Sequence, residues 1–478
     1  TGIVRAEEDP IFRNLKSEQI KSVMKNTVMI HPGAPEAYAH GKKYNMEKYG
    51  EAKRNGKELT VSSDFLNEVF PGSTADGEEC DIYEFAKENA MTVTEKDSTF
   101  YISDIGYRLP SNLSNNINKL FGIYVKPGAK GTGTFESPVG SIISAKNMVS
   151  ELKKNIGLPD GGISVYLRGG NYTVANTQNF DASDGGEEGS PICWRAYKDE
   201  KVSFDGGISI KGSEFQKITD SNIKNKLPYP QNVVCINIGD RISAFGDSFR
   251  QSDPAMWSVF YRDTALNVAR WPNNTEWALT GEIIDDGGRI RGKGFSFVVG
   301  DSRVKKWAAE DDPRIFGYFG FDWAGERRRI VSVDRQKLSV TSDDFAEYGI
   351  AQNKRYYVYN MVCELDNPGE FYYDKKTDNL YFYPVEGSPD NEEFLNNEVQ
   401  FSLLSQEMMS LHGASYMSFE NIIFEYALAM GMAVDSECRN IEIKGCTFKN
   451  ITQGADLYGY DNTIKSCDFY NISNRPLG

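Results

Sequence analysis

Met417-Ser-Phe-Glu-Asn-Ile-Ile-Phe424, Ile441-Glu-Ile-Lys-Gly-Cys-Thr-Phe448 and Asn462-Thr-Ile-Lys-Ser-Cys-Asp-Phe469 are three versions of one phrase. Stacked, they align Phe419 with Ile443 and Ile464, Ile422 with Cys446 and Cys467, and Phe424 with Phe448 and Phe469, with Ala427, Ile451 and Ile472 continuing the ladder. Equivalent phenylalanines lie 24 and then 21 residues apart. Each copy holds two short runs alternating apolar and polar, joined at a small residue, Asn421, Gly445 or Ser466. A repeat of this length, built of short strands without helical period, predicts a parallel β-helix. Successive strands then stack about 4.8 Å apart, so like side chains form inward columns and the outward faces form long ridges that suit a polymer. A leucine-rich repeat would need a Leu-x-x-Leu-x-Leu phrase, which is missing.

The 478-residue chain has a formal net charge of −15 and no lysine or arginine run, which argues against nucleic acid as a partner. The same charge disfavours polyanionic substrates unless a local basic groove or calcium compensates. Aromatics make up 12%, including 26 tyrosines, as suits either sugar stacking or a β-rich core. No apolar run reaches the roughly 18 residues of a membrane span. Thr1 is not a start methionine, so a removed N-terminal segment and a secreted or cell-surface location are expected. The seven cysteines are scattered and contain no C-x-x-C pair, so they read as core packing.

Residues 1–25 are polar, helical or loose. From 26 to 105, short strands, an amphipathic helix near Ser63–Phe70 and turn signals at Gly41 and Asn55-Gly56 predict a small α+β module. It resembles the copper-amine-oxidase N-terminal-like domain, which carries no copper; His31 and His40 read as surface histidines. Residues 119–230 read as the start of the β-helix, with a helix from Ser141 to Asn155 covering the open end of its core. Between 231 and 399 the period is lost while strand signals persist, which predicts a β-rich insertion. Regular repeats resume over 400–478.

Several phrases carry a further resemblance: Val165-Tyr-Leu-Arg-Gly-Gly-Asn-Tyr172, Trp194-Arg-Ala-Tyr197, Ala269-Arg-Trp-Pro-Asn273, Phe316-Gly-Tyr-Phe-Gly-Phe-Asp-Trp-Ala324, Asn367-Pro-Gly-Glu-Phe-Tyr-Tyr-Asp374 and Leu380-Tyr-Phe-Tyr-Pro384. In this order they are similar to bacterial right-handed β-helix proteins that include glycoside hydrolase family 141. The resemblance implies an extracellular enzyme acting on polysaccharide, with fucosidase and xylanase activities known in the family. It also implies further repeats after Gly478, where relatives place their catalytic acids. The ladder is still regular at Phe469 and Ile472, so missing repeats or a partner chain are expected to cover it.

Glycoside hydrolysis asks for two carboxylates, about 5.5 Å or 6.5–9.5 Å apart. The outward positions offer Glu425 with Lys449 and Tyr470 on one column and Asp468 on the next, Glu425 and Asp468 lying roughly 12 Å apart by strand spacing. Asp456 and Asp461 fall in a following loop, as catalytic or as solvated turn residues. Tyr318 and Trp323 offer a stacking wall for sugar rings, with Asp322 as acid or acceptor; the same phrase also reads as a tight core strand pair. Arg270 and Trp271 form either a substrate clamp or a turn held by a buried arginine. The acidic stretch Asp181–Glu188 offers oxygens to calcium, without EF-hand spacing; no other cofactor or metal is expected. The glycines of Lys126–Gly133 lack the Gly-Lys-Ser/Thr of a phosphate loop, and His412 without Gly-x-Ser-x-Gly gives no serine triad. A polysaccharide lyase, drawing on Lys444, Lys449 and Lys465, and a non-catalytic carbohydrate-binding protein are the competing readings.

Overall fold

The computed structural model describes residues 10–111, 113 and 115–478, and the chain divides into two compact units. The first unit combines the N-terminal half, through Asp205, with Glu407–Glu425 and Ala429–Gly478. The second comprises Gly206–Gln406 with Tyr426–Leu428. Both are built mainly of strands. Among the described residues no helix is long and apolar enough to cross a membrane.

The first unit opens with the helix Pro10–Asn26, which runs directly into the strand Thr27–Ile30. That strand lies at the centre of a five-stranded antiparallel sheet, flanked by Glu36–Ala39 and Thr99–Asp104. The hairpin turn uses His40 and Gly41, both in the left-handed region. Two seven-residue helices, Ser63–Val69 and Ile82–Glu88, close its core over Phe65, Phe85 and Phe100. Asp81 caps the second by accepting from the Tyr83 and Glu84 amides. Buried polar contacts also tie this region to the strand Ile163–Leu167. Glu36 is buried, accepts hydrogen bonds from Ser164 (2.5 Å) and the Tyr166 hydroxyl (2.8 Å), and pairs with Lys43 at 2.7 Å. His31 is not a surface histidine: its ring packs on Phe121, Nδ1 lies 3.1 Å from the Thr99 hydroxyl, and burial lowers its pKa.

The repeat phrases form parallel ladders. One runs through Ile123–Val125, Ile163–Leu167, Ile192–Ala196, Ser415–Glu420, Arg439–Lys444 and Thr463–Lys465. A second runs through Gly170–Thr173, Val202–Asp205, Ile422–Glu425, Thr447–Leu457 and Asp468–Leu477. A third stacks Gln178–Asp181, Met409–His412, Met430–Val434 and the far half of Thr447–Leu457. Register sets Phe419 opposite Ile443 and Ile443 opposite Ile464. Phe424, Phe448 and Phe469 stack with centroids 4.8 and 5.0 Å apart and planes 6° apart, so the rings repeat at the strand spacing itself. The chain passes from the first ladder to the second at Asn421, Gly445 and Ser466, all with φ between 52° and 62°. A Cβ on Gly445 would also meet Asn421 Oδ1 at 2.2 Å, which explains the glycine there. The helix Ile142–Ile156, capped by Ser141, packs its apolar stripe of Ala145, Val149 and Leu152 beside the strand Ile123–Val125.

Cys363, Cys438 and Cys446 are buried, but Cys467 is partly exposed, so the column it shares with Cys446 is less enclosed than expected.

The second unit begins at Gly206 and not at 231, and extends to Gln406 beyond the expected 399. Gly207–Lys211 pairs antiparallel with Glu398–Ser402, far along the chain, a pairing that carries no local signal. Its largest sheet is antiparallel, with neighbours Arg270–Trp271, Arg355–Tyr359, Arg314–Gly317, Glu326–Asp334, Ser339–Ser342, Ser296–Val298 and Ile283–Asp285. One face of this sheet buries Ile315, Tyr356, Val358 and Phe297 against Phe295, Trp307 and Phe319.

Candidate functional site

Two groups of side chains stand out, one in each unit. In the first unit, Asp205, Glu425, Lys449 and Tyr470 occupy successive strands of the second ladder. Glu425 is buried; it accepts a hydrogen bond from Ser203 and pairs with Lys449 Nζ at 3.0 Å. Tyr470 lies with its ring 6.0 Å from that ammonium. A carboxylate so compensated satisfies the rule for buried charge, and it has no free oxygen poised for proton transfer.

In the second unit, the face of the large sheet opposite its core is a grid of aromatic rings and guanidinium groups. Register sets Arg270, Tyr359, Arg314 and Arg329 in one row, then Tyr357, Phe316 and Arg327 in the next. Tyr318 and Arg355 come after them, the Tyr318 amide donating to the Arg355 carbonyl at 3.0 Å. Trp277 packs against Phe316, Tyr318 and Tyr357 at centroid distances of 6.0, 5.7 and 5.3 Å. Arginines lie over these rings: Arg270 at 3.7 Å from Tyr357, Arg355 at 4.2 Å from Tyr318, Arg327 at 5.1 Å from Phe316. The first row is neutralised within itself, since Arg314 bonds Asp312 and Asp253 and Arg329 bonds Asp312.

Beyond Tyr318 the chain turns outward. Phe321 and Trp323 stack at 5.8 Å with planes 13° apart, and Tyr348 packs on both at 6.0 and 5.0 Å. These rings are 52%, 71% and 47% exposed, although buried Phe319 shows that the same segment can bury aromatics. Three mutually packed rings thus face water as one exposed aromatic patch. Backbone hydrogen bonds fix the loop: Ala324 donates to the Phe321 carbonyl at 3.0 Å and Ala351 to that of Phe319 at 3.1 Å. Asp322 sits within it, its carboxylate 3.5 Å from Lys354 Nζ.

The residues singled out in the sequence therefore part company. Tyr318 lies on the ring-lined face, the Asp322 carbonyl accepts from Arg355 at its edge, and Trp323 follows in the exposed aromatic patch. Arg270 is held below the face, donating from Nε to the Pro272 carbonyl at 2.8 Å and from Nη2 to that of Glu276 at 2.7 Å, which makes it the keeper of a turn. Its amide is accepted by buried Glu370 at 3.3 Å, which also accepts from Asp366 and Asn367; burial pushes the Glu370 carboxyl up to about 8. Trp271 points the other way, against core Trp307 at 5.7 Å, because neighbours in a strand face opposite sides. Asp456 is bonded at both oxygens by Arg475, at 2.9 and 2.6 Å. Asp468 is exposed opposite Thr447, one column away from Glu425. These carboxylates do not converge into a pair. In the Asp181–Glu188 stretch, Asp184 pairs with Lys146 at 2.9 Å and Asp181 accepts from Ser183. Among the described residues no three His, Cys, Asp or Glu side chains are grouped to hold a metal ion. Sequence reading missed Trp277, Arg327, Tyr348 and Arg355, which lie outside the phrases it used; Arg327 and Arg355 come from strands of the large sheet, and Trp277 and Tyr348 from loops that pack onto their neighbours' rings.

No family model and no curated protein matches the chain. Among solved structures, it is similar to one described as a glycoside hydrolase, with a TM-score of 0.53 and 17% identity. That match covers 70% of this chain, which spans 63% of the other. Looser matches are to a complex of XylC with xylose (TM-score 0.33, 11% identity, 74% of this chain and 54% of that one). Another is the Gp54 tailspike of Acinetobacter baumannii bacteriophage AP22 with capsular saccharide (TM-score 0.15, 9% identity, 67% and 47%). At those scores the last two carry no structural weight, and the first speaks for a shared fold.

Proposed function

We propose that this chain is a carbohydrate-active protein of the glycoside hydrolase kind, built on a right-handed parallel β-helix, that holds polysaccharide on the aromatic face of its second unit. The observation that carries this reading is the exposed trio Phe321, Trp323 and Tyr348, continuous in the chain with the ring-lined sheet through Tyr318. Sugar rings present apolar C–H faces, and flat exposed rings held in place by packing lose little entropy on stacking against them. The stacked ladders and the likeness in fold to a glycoside hydrolase support the scaffold. A bacterial secreted or cell-surface location fits a polymer substrate, with the segment 26–105 as an accessory region.

Hydrolysis would need a carboxylate partner for Asp322, the acid already on the face. The test is to incubate the protein with xylan, fucosylated glycans and pectic polymers and follow three signals. New reducing ends without ultraviolet absorbance support a hydrolase. Products absorbing as unsaturated uronates would make it a lyase, and retention on the polymer without products would make it a binding protein. If no glycan is retained, or if Trp323→Ala leaves retention unchanged, the reading fails.

A further inference from the structure

Arg327 and Arg355 differ from the other guanidinium groups of the ring-lined sheet. Arg314 and Arg329 are tied to carboxylates, and Arg270 is spent on backbone carbonyls. Among the described residues, neither Arg327 nor Arg355 has a carboxylate within ion-pairing distance. Arg355 reaches only the Asp322 carbonyl, at 3.3 Å, while the Asp322 carboxylate is turned to Lys354. Both guanidinium groups nevertheless lie over aromatic rings. Arg327 lies 5.1 Å over Phe316, and Arg355 lies 5.3 Å over Trp277 and 4.2 Å over Tyr318.

A guanidinium stacked on a ring keeps its N–H edge free, and that planar edge matches a carboxylate in two parallel hydrogen bonds. Phe316 lies between Arg327 on one neighbouring strand and Tyr357 on the other. The two uncompensated cations lie over neighbouring rings, Arg327 over Phe316 and Arg355 over Tyr318 and Trp277, with Phe316 and Tyr318 5.4 Å apart, on a molecule whose net charge is −15.

We propose that Arg327 and Arg355 recognise the carboxylates of a uronic-acid-containing polysaccharide, whose sugar rings lie across Phe316, Tyr318 and Trp277. The inference rests on the glycan-binding reading above and adds the charge of the polymer.

The experiment compares polygalacturonate with the same polymer after reduction of its carboxyl groups to alcohols, using calorimetry on the full chain. Dextran sulfate and dextran form a parallel pair. The native polygalacturonate should bind at least about tenfold more tightly than its reduced form. The double substitution Arg327→Gln with Arg355→Gln should erase that difference without weakening binding to the reduced polymer. Equal binding of native and reduced polymer, lost in Trp323→Ala, would overturn this inference while leaving glycan binding intact. Dextran sulfate bound as tightly as polygalacturonate would also overturn it, since charge density alone would then decide. Failure to bind any of the four polymers would sink the glycan reading itself. The comparison of native with reduced polymer needs no variant, so it stands even if the double substitution misfolds.

Discussion

In the parallel ladders of the first unit, Phe424 and Phe448 stand ring on ring, shut away from water; in the antiparallel sheet of the second, Phe316, Tyr318 and Trp277 stand ring against guanidinium at the surface. The contrast comes from pairing geometry. A parallel repeat sets each side chain beside its own equivalent in the next repeat, so one choice of residue is multiplied into a column. Phenylalanine suits such a column because identical rings can offset-stack at the strand spacing. A repeated charge suits it less, and in the second ladder the column changes residue type along Asp205, Glu425, Lys449 and Tyr470, with Lys449 pairing Glu425. An antiparallel sheet sets unlike residues from distant segments side by side, which is how cations and rings come to share one face.

That division can be broken first in the column. Phe448→Ala should cost about 3–5 kcal/mol in denaturant unfolding, because rings on both sides are held by strand register and cannot collapse into the gap. A loss below about 1 kcal/mol would mean that the stack contributes little. Lys449→Met tests the polar column beside it. It leaves Glu425 buried without its cation, and a loss again of about 3–5 kcal/mol is expected; Glu425→Gln combined with Lys449→Met should recover most of it.

Beneath the mixed grid, the effect is one of pH. The Glu370 carboxyl is raised from 4.5 to about 8 by burial, so the folded chain keeps a proton that the unfolded chain gives up. Its contribution to stability is complete below pH 4.5 and is lost as pH rises to about 8, at up to about 1.4 kcal/mol per pH unit. Glu370→Gln should flatten the stability profile across that window, and an unchanged profile would show that Glu370 is ionised in the fold. The smallest change in stability belongs to the exposed trio. Trp323→Ala should move stability by less than about 0.5 kcal/mol while lowering glycan affinity about tenfold, or ~1.4 kcal/mol. A large loss of stability would return Trp323 to the core.

The parallel pairing was legible in the sequence because it is written locally. Phe424, Phe448 and Phe469 align by eye, and the turn residues between strands had to tolerate a left-handed backbone. The mainly β character of the long middle stretch was legible too, from its strand runs. Its starting point was not, since Gly207–Lys211 pairs with Glu398–Ser402 across nearly two hundred residues. The candidate face was half visible. Trp323 and Tyr318 drew notice as a dense aromatic phrase, yet the sequence could not say that Phe319 turns in while Phe321 turns out. Arg270 and Trp271 read together as one clamp or turn, whereas the strand sends them to opposite sides and Trp271 packs on Trp307, thirty-six residues away. Glu425 looked available because outward positions of a ladder are normally wet; Ser203 and Lys449 take it up instead.

The placement of the tryptophans makes the second unit its own optical probe. Trp194, Trp257 and Trp307 are buried and Trp271 is half-buried against Trp307, whereas Trp277 and Trp323 are exposed. The long-wavelength edge of the intrinsic emission therefore belongs to the very rings proposed to meet the sugar. A ligand that settles there should shift the spectrum to the blue and shield it from iodide, with no dye and no label.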